Sequence, residues 1–170
     1  MQLKHSQLFL DSLYQPKKLA AYRIMPIGKV IQYVFLLITA MTVFSLGKFF
    51  NNEINQIFAY KEIEEFASDL KWLVYAISIV FLFVMNTLIL FAKISVYAYA
   101  GQLFLKPMQR RGEYRQVWRT AAFAITWEVI LSIILSFFAI PSIVSILLFI
   151  VVTMTILLMA LKKYPKMPQA

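Results

Sequence analysis

Glu128 lies in the stretch Ala124–Ser132, AITWEVILS, within a mainly apolar run from Ala121 to Ala139. A carboxylate in such surroundings can exchange a proton or hold a cation, or it can staple helices together through hydrogen bonds worth about 0.6–2 kcal/mol in a membrane. At about 100° per residue, Ala121, Ala124, Glu128, Ser132, Leu135 and Ala139 share one helical face, while Phe123, Trp127, Ile130, Ile134 and Phe137 share the other. Small residues let helices approach closely and bulky ones suit lipid, so the pattern predicts an inward Glu128 and an outward Phe123 and Trp127. With Thr120 at the membrane surface, Glu128 sits about 12 Å deep, a level that Asn86 reaches about 21 Å below Trp72 on the preceding span. Asn86 is therefore the expected intramembrane partner, and Lys93, about two turns further on the same face, is the alternative.

These residues need helices across a bilayer to position them. The chain has 170 residues, of which 61% are hydrophobic, against roughly 45–50% in an average soluble domain. A hydrocarbon core of about 30 Å asks for about 20 mainly apolar residues, and four runs qualify: residues 30–46, 72–92, 121–139 and 143–161. The expected fold is all-α, an integral membrane four-helix bundle preceded by an interfacial amphipathic helix. Residues 1–29 form the N-terminal segment, 30–161 the four-span domain and 162–170 the tail. The first span is expected to stay as an uncleaved anchor, because no small-residue cleavage site follows it. The apolar pattern of the second span runs on to Lys106 and Pro107, with Gly101 as the expected break.

The formal net charge is +9. Its distribution argues for topology rather than nucleic acid, because short cytoplasmic loops collect Lys and Arg. Bases dominate before the first span, between the second and third, and after the fourth. The segment between the first two spans carries Glu53, Glu62, Glu64, Glu65 and Asp69. The expectation is a multi-pass plasma-membrane protein with both termini cytoplasmic. Trp72 would mark the outer boundary, and Trp118 and Tyr164 the inner one.

In the first fifteen or so residues, Leu3, Phe9, Leu10, Leu13 and Tyr14 fall on one side of a helix, which suits either the inner leaflet or the protein's own surface. Leu8 lies off that face. Lys17, Lys18 and Arg23, with Arg110, Arg111 and Arg115 in the loop before the third span, are the expected contacts for anionic lipid or a partner. KEIEEFASDL reads as an amphipathic helix leading into the second span; its acids suit a solvated face better than calcium, which needs six to eight oxygens in a turning loop.

Catalysis finds no support: one His, no Cys, no HExxH pair and no Gly-rich phosphate loop. No cofactor or metal is expected. The stretches Ser12–Leu37 and Tyr114–Leu135 resemble an uncharacterised family of small bacterial multi-pass membrane proteins. Some members are labelled maltodextrin-utilisation membrane protein, and the family is distantly similar to Yip-type proteins. Its members tend to carry a sizeable insertion after the first span, where this chain has only Gly47 to Lys71. The resemblance implies a bacterial membrane location and no catalytic residues.

The expected function is that of a non-enzymatic accessory, scaffold or regulatory subunit in contact with lipids and another membrane protein. The alternative is a small oligomeric permease or ion or lipid carrier using Glu128. Four glycines supply no GxxxG motif, which leaves homo-oligomerisation open.

Overall fold

A computed structural model describes residues 5–53, 61–138 and 140–167, with backbone alone at 5, 52, 53 and 61–71. Its helices are α1 (His5–Tyr14), α2 (Pro16–Leu19), a 3-10 turn (Ala21–Ile24), α3 (Ile27–Lys48) running into a π turn (Phe49–Glu53), α4 (Lys61–Leu105), α5 (Tyr114–Ala124), α6 (Thr126–Leu135) and α7 (Ser142–Leu161). Among the described residues no strand forms, only a single bridge between Arg110 and Lys166. Among the described residues, four helical stretches are long and apolar enough to cross a membrane: Ile27–Asn51, Trp72–Leu105, Tyr114–Leu135 and Ser142–Leu161. The acidic stretch KEIEEFASDL is the helical start of α4; its side chains lie outside the described residues.

The chain divides into two units, Phe35–Leu90 and Met1–Val34 with Phe91–Ala170. Within Phe35–Leu90, Phe35 stacks on Phe83 at 6.4 Å and Phe50 meets Tyr75 edge-on at 4.9 Å. The contacts run in opposite order along the two stretches, so the helices here are antiparallel. Asn86 Nδ2 donates to Thr42 Oγ1 at 3.2 Å across the pair. Ile77, Val80, Phe81, Val84 and Leu88 are exposed, an apolar surface suited to lipid or to a partner helix.

The other unit is built around α5 and α6, where Ala121 to Ile125 are all inaccessible. Thr126 Oγ1 donates back to the Phe123 carbonyl and shares a 2.7 Å hydrogen bond with the Tyr33 hydroxyl. Such back-bonding bends helices, and Ile125 is the one-residue turn that separates α5 from α6. The helical-wheel expectation for Phe123 and Trp127 fails here. Phe123 is buried between the rings of Tyr22 and Tyr33, at 5.0 and 4.8 Å, and the Trp127 indole donates to the carbonyl of Leu13 at 3.1 Å. The N-terminal segment covers the face that bulk alone would give to lipid, and Trp127 satisfies a carbonyl left open at the end of α1.

That segment docks through the side that an interfacial helix would not use. Leu8 and Ser12 of α1 are fully buried, while Leu10 and Tyr14 are exposed. Asp11 ties α1 to α2 and the 3-10 turn, accepting from the Tyr22 hydroxyl at 2.5 Å and from Lys18 at 3.1 Å. Burial, together with the hydrogen bond to Asp11, pushes the Tyr22 hydroxyl well above its ordinary range.

Gly101 does not break α4. The helix passes through it and stops at Leu105, just before the Lys106-Pro107 pair, because a proline disfavours helical geometry in the residue ahead of it. Gln109 then takes a left-handed φ of 52°, held by bonds from its N–H to Lys106 O and from Met167 N–H to its own carbonyl. Gly101 serves close packing instead: an added Cβ would sit 3.0 Å from Leu157 Cδ2 and Val117 Cγ1. Gly101→Ala should be near neutral, since three methyl ends, on Leu157, Val117 and Leu161, need shift only slightly and alanine favours the helix by about 1 kcal/mol. Gly101→Val overpacks the site and should cost about 1–3 kcal/mol in detergent unfolding measurements.

Candidate functional site

Glu128 is the acidic residue of the first turn of α6, and its side chain is 5% exposed. Lys93 and Tyr97 project from neighbouring turns of α4, close enough in register to meet one group together. Lys93 Nζ lies 2.6 Å from Glu128 Oε1, and the Tyr97 hydroxyl donates to Oε2 at 2.7 Å. Thr153 of α7 donates to the same Oε2 at 3.2 Å. Three helices are thus tied to one carboxylate. Its charge is matched by an ammonium and its oxygens accept three donors, as a buried ion needs if it is not to be destabilising.

Beside this cluster is a cavity of about 470 Å³, lined by Lys93, Val96, Tyr97, Glu128, Phe149 and Ile150 among others. Its walls are apolar apart from the ion pair. Lys93 is the accessible half of that pair, with 42% of its side chain exposed.

Of the two partners expected for Glu128, Lys93 makes the contact, while Asn86 donates to Thr42 in the Phe35–Leu90 unit. Tyr97 and Thr153 were missed. A signal existed for Thr153, which lies about two turns inside the end of its helix, much as Glu128 lies about two turns from Thr120.

The basic residues do not form one patch. Lys18 is paired with Asp11, whereas Lys17 and Arg23 line a cavity of about 380 Å³ with Lys163. The Arg23 guanidinium also stands over the Tyr164 ring, 5.2 Å from its centre. Arg110 and Arg111 are sewn to the tail: Arg110 Nη1 donates to Tyr164 O at 2.8 Å and Arg111 N–H to Pro165 O at 2.9 Å. Arg115 lines a third cavity with Arg119, a residue for which no contact role was expected.

Tyr164, read from sequence as a boundary aromatic, is 1% exposed. Its hydroxyl lies 2.7 Å from Thr120 Oγ1 and donates to Gln116 O at 3.0 Å. Gly112 makes room for the ring, since a Cβ there would fall 2.9 Å from it.

An all-α chain with four apolar membrane-length helices and a charge pair placed within them is an integral membrane protein. It belongs to the family described as "Protein of unknown function (DUF1189)", whose model matches residues 50–161. That match includes Lys93, Tyr97, Glu128 and Thr153; of the two stretches that carried the resemblance, Tyr114–Leu135 lies inside it and Ser12–Leu37 outside. No curated protein and no solved structure matches the chain.

Proposed function

We propose that this is a non-enzymatic accessory, scaffold or regulatory subunit of a bacterial plasma-membrane complex, with both termini in the cytoplasm. The observation that carries the proposal is that the Glu128 carboxylate finds all its partners within the protein, in Lys93, Tyr97 and Thr153. A carboxylate bound to an ammonium and two hydroxyls is a staple between helices, and carriers normally set several ionisable groups and broken helices around a midplane site. The exposed apolar faces of Phe35–Leu90 are available to a partner's helices. Base-rich flanks support the orientation. The labelled members of the resembling family suggest a sugar-uptake complex as the first place to seek that partner.

The test is purification of the full chain from its native membrane in mild detergent. A stoichiometric heterologous membrane protein is expected to accompany it. The cavity beside Lys93 and Glu128 favours a second reading, a small ion or lipid carrier. Flux into liposomes holding this protein alone, abolished by Glu128→Gln, would replace the first reading with the second.

A further inference from the structure

We infer that the cavity between the start of α3 and the α5 arginines holds the phosphate of an anionic phospholipid headgroup. The cavity measures about 350 Å³ and is lined by Ile27, Tyr114, Arg115, Trp118 and Arg119. Ile27 and Tyr114 are the first residues of two membrane-length helical stretches, so the cavity lies at the level where hydrocarbon gives way to headgroups. Tyrosine and tryptophan rings favour that level. Arg115 and Arg119 stand one turn apart on α5 and bring two guanidiniums to one opening.

The charge there has no protein counterpart. Three carboxylates have described side chains: Asp11 is paired with Lys18, Glu128 with Lys93, and Glu113 caps the start of α5 in a capping box with Gln116, so no ion pair to Arg115 or Arg119 forms among the described residues. Arg119 is half-buried. Its Nη1 donates to the Arg23 carbonyl at 2.9 Å, while its Nε is buried without an acceptor among the described residues. A guanidinium withdrawn from water and left without an anion is electrostatically incomplete. A phosphodiester completes it, because its paired oxygens match the guanidinium fork. Trp118 is fixed by a 3.3 Å bond from its indole to Ser95 Oγ, which keeps its ring as a wall of the cavity. Inorganic phosphate shares the anion chemistry, but the exposed Ile24 and Ile27 give acyl chains an apolar surface that a free ion would not use.

The test uses the full chain, delipidated in neutral detergent. Its melting temperature is followed while phosphatidylglycerol, phosphatidylcholine or inorganic phosphate is added. Phosphatidylglycerol should raise the melting temperature, with the other two having little effect. Arg115→Gln should raise the half-saturating phosphatidylglycerol concentration about tenfold, the loss expected for one charge-assisted contact. Arg115 is exposed and its side chain makes no hydrogen bond among the described residues, so that variant keeps the fold. Arg111→Gln, away from the cavity lining, should respond like the parent. An equal response to phosphatidylcholine or inorganic phosphate overturns the inference. So does an unchanged response in Arg115→Gln, or an acidic protein that co-purifies in place of lipid and is lost with that substitution.

Discussion

Replacing Lys93 with leucine should destabilise the protein by about 3 kcal/mol, and by clearly more than replacing Glu128 with leucine. The two halves of the pair are unequally placed. The Lys93 side chain is 42% exposed and the Glu128 side chain 5%. If the carboxylate is removed, the lysine stem can swing its ammonium toward water. If the ammonium is removed, the carboxylate stays where it is, still held by Tyr97 and Thr153 but without a compensating charge. The double leucine variant should recover most of the loss, because a buried pair replaced by packed hydrocarbon is often neutral or better. Unfolding of all four proteins in one detergent gives the coupling directly, expected at about 1–3 kcal/mol. Equal and additive losses would sink the staple.

Tyr164→Ala is expected to cost about 3–5 kcal/mol, the range for truncating a large buried aromatic side chain. Tyr164→Phe should cost about 1–2 kcal/mol, since it keeps the ring against Gly112 and Arg23 but leaves the partners of the hydroxyl unmatched. Burial pushes the hydroxyl up to about 12, with the Thr120 bond and the Arg23 and Arg119 charges acting the other way. An unfolded chain ionises its tyrosine near pH 10, before the folded one does. The Tyr164 contribution is therefore complete below about pH 10 and disappears as pH rises toward 12. Tyr164→Phe should flatten that part of the curve of stability against pH, and an unchanged curve would contradict the burial assigned to this hydroxyl.

The apolar runs made the membrane-length helices legible, and the small residues around Glu128 marked its inward face. The apolar pattern past Ala92 toward Lys106 was legible too, and α4 follows it to Leu105; Tyr97 escaped notice because a lone tyrosine in an apolar run carries no signal that its hydroxyl meets a carboxylate on another helix. Phe123 and Trp127 misled for another reason. Periodicity groups residues by face but does not reveal which segment covers that face. The covering pieces, α1 and the Ala21–Ile24 turn, are too short and mixed in composition to announce themselves as core. Gly101 could be read as a break from sequence because only the packed structure shows Val117 and Leu157 against it.

The bond from Trp127 to Leu13 has a consequence for biosynthesis. Leu13 leaves the ribosome long before Trp127 exists, and Tyr22 must likewise await Phe123. Chains generally fold from the N-terminus as they are made, but the first thirty or so residues here cannot complete their own burial in that order. They must be held at the membrane surface until the later helices have inserted. A nascent chain arrested before α5 should therefore show the opening segment open to protease, and release of the finished chain should close it.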